Sequence, residues 1–249
     1  MNLILIHPDE ITAEQVELSD RRAEHIYKVL RSKEGDLVRV GVINGRMGLG
    51  RIKGLYDRKV LLDLTLSEKP LPPPPIDLII AMPRPIMLKR VLSQASSLGV
   101  SRIFLINANR VEKSFFNSTI IQENSLAAPL ALGLEQAIDT IMPEISIHQR
   151  FRPFAEDLLP EIVSKSSIRL VAHPEGEQLF SAVSKPPRSE RIVLAIGPEG
   201  GWVDFEIEKF REKGFITFSM GPRILRVDTA VPALLSQLSL LRQLPPGAF

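Results

Sequence analysis

The hydrophobic pattern of this chain changes period once, at a cluster of prolines. Ahead of it, "DLVRVGVI" (36–43), "RMGLGRIKGL" (46–55) and "KVLLDLTL" (59–66) alternate apolar and polar positions with the period of two that half-buried strands require. The first two are joined at Asn44-Gly45, a favourable hairpin turn. Before these strands, Ser19 or Asp20 can cap a helix running to about Leu30, with Ile26, Val29 and Leu30 forming its apolar side. Together these elements predict a small β-barrel or sheet within residues 1–69. The segment "KPLPPPPID" (69–77) holds five prolines, which keep the backbone near polyproline II, so residues 70–75 read as a stiff linker.

Beyond the linker, strands alternate with helices. The strands read "IDLIIAM" (76–82), "SRIFLIN" (101–107), "EISIHQ" (144–149), "SIRLVAH" (167–173), "RIVLAI" (191–196) and "FITFSM" (215–220). Several are apolar on both faces, as in a parallel sheet covered by helices. Between them, residues 86–98 place Leu88, Val91, Leu92 and Ala95 at helical spacing, and a last helix over 229–243 carries Leu234, Leu235, Leu238 and Leu241 along one stripe. Residues 76–249 are therefore expected to form an α/β domain.

Composition narrows the chemistry. A chain of 249 residues, 44% apolar and 24% charged, can bury a full core. No apolar stretch reaches the ~18 residues a membrane span requires, and "MNLILIHPDE" lacks both a basic lead and a cleavage site, so a cytoplasmic protein is expected. The absence of cysteine excludes disulfides, thiolate metal sites and thiol nucleophiles. His7, His25, His148 and His173 lack ligand-type spacing, so no metal is expected. The net charge is only +2, but between Arg21 and Lys59 eleven Lys and Arg stand against four Asp and Glu, a local concentration that attracts phosphates.

The candidate site lies where strands end. "RIVLAIGPEGGW" (191–202) runs from a buried strand into Gly197, Pro198, Glu199, Gly200 and Gly201, and ligands in open α/β sheets sit at such carboxyl ends. The loop has neither the lysine of a phosphate cradle nor the G-x-G-x-x-G of a dinucleotide loop. Its glycines let main-chain N–H and C=O groups approach a flat ligand, and Glu199 suits a cation or a ligand amine or hydroxyl. Taken alone, the stretch also reads as a tight turn into a helix that Asp204 caps. A second loop of the same kind, "FITFSMGPRILRVDTA" (215–230), ends an adjacent strand in Gly221-Pro222 and sets Arg223, Arg226 and Asp228 before a helix beginning at Thr229. One carboxylate between two arginines reads as an electrostatic site for an anion or as a surface salt-bridge cluster. "GLGRIKG" (48–54) looks like a nucleotide loop but is followed by a strand.

"IGPEGGW" followed by "MGPRILRVDTA" closely resembles the final motifs of the RsmE family, the 16S ribosomal RNA uracil-N3 methyltransferases of the SPOUT superfamily. The resemblance spans nearly the whole chain: "AEHIYKVLRSKEGD" (23–36) is similar to that family's N-terminal PUA-like RNA-binding barrel, and "LKRVLSQASSLGVSRI" (88–103) to its first methyltransferase helix and strand. It implies a SPOUT-type parallel sheet with a C-terminal trefoil knot, S-adenosyl-L-methionine as methyl donor, 16S ribosomal RNA in the small subunit as substrate, and a homodimer. Periodicity alone would give an ordinary doubly wound sheet. Carried over residue by residue, the cofactor would lie against His173, Pro174, Glu175 and Gly176, against Ile196 with Gly197–Gly201, and against Met220, Gly221, Ile224, Leu225 and Arg226. Arg226 would orient or stabilise the base, with Arg223 as a phosphate or base contact and Asp228 as an orienter or weak base. Arg21, Arg22, His25, Lys28 and Arg31 would contact RNA; His25, Lys28 and Arg31 share one helix side.

The chain departs from the family in two places. The family's usual Glu-Gln-Ser-Gly-Arg is Glu135-Gln136-Ala137-Ile138-Asp139 here, and its usual threonine-glutamate is Val227-Asp228. Both lie on the expected RNA side, and they keep open two other readings: a SPOUT enzyme acting elsewhere on RNA, such as a ribose 2′-hydroxyl, and a ribosome-associated RNA-binding paralogue without catalysis.

Overall fold

The computed structural model describes residues 1–121, 123–163, 168–176, 178–180 and 190–243. The chain divides into one unit of Met1–Pro72 with Leu130–Met142 and a second of Pro73–Pro129 with Pro143–Phe249. The expected division into residues 1–69, 70–75 and 76–249 did not include the return of Leu130–Met142 to the first unit. That return has a cause in the first few residues.

In the first unit, β1 (Ile4–Ile6), β2 (Gln15–Leu18), β3 (Leu37–Val42), β4 (Met47–Tyr56) and β5 (Lys59–Glu68) form a sheet in the order β1-β3-β4-β5-β2. β1 and β2 were not expected from the sequence. Ile4 and Ile6 face the core formed by Val16, Leu18, Val38, Val40, Ile52, Val60 and Leu62, while Leu3 and Leu5 point the other way, onto Leu134. A strand apolar on both faces needs cover on both. Leu130–Met142 provides it, and the Glu135 carbonyl accepts from the backbone N–H groups of Asn2 and Leu3.

Asp20 caps helix α1 (Arg21–His25), accepting from Arg22 N, and the chain then widens into a π-helical turn, Ile26–Leu30. The wider turn shifts the helical phase. Ile26 is buried as expected, but Val29 and Leu30 are 64% and 46% exposed instead of forming an apolar side. "GLGRIKG" lies inside β4.

In the second unit, β6 (Ile76–Ala81), β7 (Arg102–Ile106), β8 (Glu144–His148), β9 (Ile168–Ala172), β10 (Gln178–Leu179), β11 (Ile192–Ile196) and β12 (Ile216–Ser219) form a parallel sheet in the order β10-β12-β9-β11-β6-β7-β8. Ser167, the first residue of the strand expected at 167–173, lies outside the described residues. β6 and β11 are buried along their whole length. β9 lies between β11 and β12, so the two glycine-proline loops follow strands that are not adjacent.

The helices are α2 (Pro85–Ser97), α3 (Glu123–Ala137), α4 (Phe151–Pro153), α5 (Leu159–Ile162), α6 (Asp204–Glu212) and α7 (Val227–Gln243). α2 buries Leu88, Val91, Leu92 and Ala95, and α7 buries Leu234, Leu235 and Leu238. α7 begins at Val227 rather than at Thr229, because the Arg226 carbonyl already accepts from the N–H groups of Thr229 and Ala230.

At the amino end of the sheet a fully buried carboxylate, Asp77 on β6, is held by two arginines. Arg102 of β7 approaches it with Nε at 3.1 Å and Nη2 at 2.5 Å, and Arg191, just before β11, with Nη1 at 2.6 Å. Pairing with Asp77 holds the Arg102 guanidinium above its ordinary pKa. Replacing Asp77 by Ala strands both cations in a partly desolvated setting and is expected to cost about 3 kcal/mol of stability in urea unfolding. A loss below about 1 kcal/mol would show that the cluster is ordinary surface pairing.

Candidate functional site

The level register of the second sheet brings three strand ends together. Ile196 pairs with Ala172 across β11 and β9, and Phe218 with Ala172 across β12 and β9, so the loops after these strands leave the sheet at one height. The loop after β9 is tied to β12, with His173 N donating to the Phe218 carbonyl at 2.9 Å and Gly176 N to the His173 carbonyl at 3.0 Å. The loop after β11 closes as a tight turn, Gly201 N to Pro198 O at 2.8 Å, with Gly201 in the left-handed region at φ 76°. Trp202 then folds its ring back onto Gly197, where a Cβ would come within 3.1 Å of the indole.

Two groups that the sequence reading did not single out hold this turn. The Arg110 guanidinium donates to the Gly200 carbonyl, and the buried Glu206 carboxylate accepts from Asn109 N at 2.7 Å and Val203 N at 3.0 Å. Glu206 thus does the capping expected of Asp204, which is the first residue of α6, the N-cap being Val203. The signal was available: a glutamate three residues after the N-cap position is the acidic half of a capping box.

The three loops enclose a cavity of about 350 Å³, within the size range of small-molecule and cofactor sites. Its lining includes His173, Pro174, Ile196, Gly197, Pro198, Glu199, Gly200, Gly201, Met220, Gly221, Arg223, Ile224, Leu225 and Arg226, all singled out in the sequence. Glu175 and Gly176 do not line it. Gly176 has a packing role, since a Cβ there would come within 2.2 Å of the Phe218 backbone. The sequence reading missed the apolar floor, Ala172, Trp202, Phe218, Val227, Ala230 and Leu234, together with Ser219. These are strand-end and helix residues whose apolar character looks like ordinary core. Among the described residues Glu199 is the only acidic one in the wall. Main-chain groups and apolar surface make up most of the rest, a donor set suited to a flat, cationic or neutral organic molecule.

The charged groups sit at the mouth. Arg226 is 75% exposed, its Nε 3.5 Å from Asp228 Oδ1 and its Nη2 3.8 Å from Met87 Sδ. Asp228 is only 11% exposed and does not line the cavity. Its Oδ2 accepts from Arg90 Nη1 of α2 at 3.2 Å, and Arg90 was not singled out in the sequence. Ile224 is 82% exposed. Among the described residues no group of three His, Asp or Glu is placed to hold a metal ion.

In the first unit, the basic candidates separate by environment. Arg22 is buried, its guanidinium shared among Glu10, Asp20 and the Leu5 carbonyl, and burial against those carboxylates makes it structural rather than a free RNA contact. Hydrogen bonding to Arg22 holds Glu10 below the usual carboxylate range. Arg21 is half-exposed but makes a bidentate pair with the buried Glu135, at 2.8 and 2.9 Å. Lys28 is exposed and pairs with Glu24, His25 is partly buried with Nε2 unpartnered, and Arg31 is exposed in the left-handed region.

Comparison with known proteins also separates two parts of the chain. Residues 69–239 match the model of an RNA methyltransferase domain and residues 18–64 that of an RNA methyltransferase PUA domain. The ribosomal RNA small subunit methyltransferase E of Treponema pallidum is 32% identical, over 94% of this chain and 88% of that protein. Among solved structures, a Legionella pneumophila protein in complex with the bound cofactor SAM superposes with a TM-score of 0.77 at 23% identity, covering 96% of this chain and 97% of the other. The ribosomal RNA small subunit methyltransferase E of Neisseria gonorrhoeae bound to S-adenosyl methionine does so with a TM-score of 0.74 at 21% identity, covering 97% and 98%. At these identities the two structures speak for the fold.

The close approach at Gly176 yields a direct check. Gly176→Ala forces the loop off β12 and is expected to destabilise the protein by about 1–3 kcal/mol, the usual range for an overpacked position, as a lowered thermal midpoint. An unchanged midpoint would show that the loop has room to give.

Proposed function

The chain belongs to the RNA methyltransferase family of the ribosomal RNA small subunit methyltransferases E, and from that premise we infer that it methylates 16S ribosomal RNA at N3 of a uridine, using S-adenosyl-L-methionine. The observation that carries this reading is the convergence of the loops after β9, β11 and β12 on one cavity, walled by main-chain groups and apolar side chains, with its arginines at the mouth. Bound there, S-adenosylmethionine supplies an electrophilic methyl group on a positively charged sulfur. The residues present fit such a molecule: among the described residues no lysine lines the cavity and Glu199 is the one acidic group, and Gly197–Gly201 offers backbone donors and acceptors to an adenine edge.

The chain's own part is to align the base and carry charge. Loss of the N3 proton spreads negative charge over the uracil carbonyl oxygens, and a guanidinium aimed at them lowers the barrier. Arg226, exposed at the mouth, takes this role, and Arg223, also in the cavity wall, contacts the base or an adjoining phosphate. Asp228 lies behind Arg226 with little exposure, which favours orienting Arg226 over acting as base. No covalent adduct with the enzyme is required, in keeping with a chain that has no cysteine. RNA contacts in the first unit fall to Lys28, Arg31 and His25 rather than to Arg22.

The reading extends to the C-terminal trefoil knot, to a homodimer and to the cytoplasm. Supporting the knot is the gathering of the β9, β11 and β12 loops; supporting a second copy are Ile86 and Ile224, 81% and 82% exposed, with Leu240 at 54%. Among the described residues no helix is long and apolar enough to cross a membrane.

Mass mapping of 16S ribosomal RNA from cells with and without the gene is expected to show one N3-methyluridine that depends on it. Complementation with Arg226→Ala should leave that site unmodified, with the single-turnover rate down about a hundredfold and calorimetric affinity for S-adenosylmethionine within about twofold of wild type, as expected of a group outside uniform ligand binding. A methylated ribose, an unmodified RNA or a fully active variant would each overturn this assignment.

A further inference from the structure

At the mouth of the cavity two guanidinium groups compete for one carboxylate. Asp228, in the first turn of α7 and 11% exposed, gives its Oδ2 to Arg90 of α2 in a hydrogen bond of 3.2 Å. Arg226 Nε makes a long ion pair of 3.5 Å with the other oxygen, Oδ1, and that oxygen is buried with no hydrogen-bond partner among the described residues. The remaining contact of Arg226 is the soft sulfur of Met87 at 3.8 Å. Side chains two residues apart do not face each other along a helix, so closing this pair into a shorter, charge-assisted hydrogen bond requires Arg226 to fold back onto Asp228. With Arg90 in place, the carboxylate is already paired from the far side.

We propose that Arg90 is a positioning residue that holds the Asp228 carboxylate and so keeps its ion pair with Arg226 long, leaving Arg226 oriented at the cavity mouth and able to meet the RNA. The inference rests on the reading of this site as an RNA methyltransferase centre. Arg90 itself is 64% exposed and is not among the residues that line the cavity. It acts through Asp228, and Asp228 acts on Arg226. Removing Arg90 leaves a largely buried carboxylate with one cation in reach, and Arg226 swings onto it.

A direct phosphate contact by Arg90 would also weaken RNA binding when lost, so the test separates the two by coupling. Affinity for an in vitro transcript of 16S ribosomal RNA is measured for wild type, Arg90→Ala, Arg226→Ala and the double variant, beside calorimetric affinity for S-adenosylmethionine. Arg90→Ala is expected to weaken RNA binding about fivefold, the ceiling for an exposed ion pair, and to add nothing in the Arg226→Ala background. Arg90→Lys should restore most of the loss, and S-adenosylmethionine affinity should stay level throughout. Additive losses would make Arg90 an independent RNA contact and overturn the proposal, as would a silent Arg90→Ala or a parallel fall in S-adenosylmethionine affinity. A wild-type protein that fails to methylate the transcript or small subunits overturns the functional reading itself, and this inference with it.

Discussion

A carboxylate with no access to water sits at the amino end of the second sheet, and the geometry of the site at the opposite end depends on how it is satisfied. Asp77 on β6 is held by Arg102 from β7 and by Arg191 at the entry to β11, the two strands that flank it. An uncompensated buried charge is among the most costly features a fold can carry. A slip of β7 or β11 by one residue would move its arginine away and turn every side chain to the wrong face. The two ion pairs therefore oppose register errors in the three strands at the centre of the sheet. Apolar strands such as Ile76–Ala81 and Ile192–Ile196, buried on both faces, specify their register less sharply by pattern alone.

With the register fixed at one end, the other end is level, and the loops after β9, β11 and β12 leave the sheet side by side. Glycine does two different things there. At Gly176 and Gly197 the missing Cβ is space, taken by the Phe218 backbone and the Trp202 ring. At Gly201 and Gly221 it is conformation, with φ at 76° and 105°. The cavity is what remains between loops packed this closely.

Much of this was readable from the residues. Period located the second unit's six main strands and strand-end glycines two of the loops at the cavity, because buried parallel strands and the turns that follow them leave direct marks in sequence; the rest of the wall named in advance came from the resemblance to a family. What could not be read had long-range causes. β1 is three residues long, and Leu3 and Leu5 are explained by Leu134 and its neighbours, more than a hundred positions away. Arg22 is written like its neighbours, yet Glu10 and Asp20 enclose it. The exposure of Val29 and Leu30 follows from a π-helical turn that no residue type announces. Arg90 is one cation on a charged helix face until α7 places Asp228 opposite it.

The departures from the family motif acquire a physical meaning in the first unit. Ile138, at the place of the glycine in the motif this segment was compared with, adopts φ 59°, a left-handed conformation that costs a β-branched residue about 1–2 kcal/mol. The surroundings offset that cost. Ile138 packs with Leu3 and Leu5, and the Asp139 carboxylate, in place of an arginine, accepts from Thr140 N at 2.6 Å and Ile141 N at 3.1 Å. Next to them Glu135 is buried and takes both arms of Arg21. The segment is a closed turn beside the Glu135 carbonyl that anchors the first strand. Charge at this end of the chain is therefore divided between groups spent on holding the fold, Arg21 and Arg22, and groups left in water, such as Lys28 and Arg31. Only the second kind can respond to an RNA backbone without dismantling a buried pair.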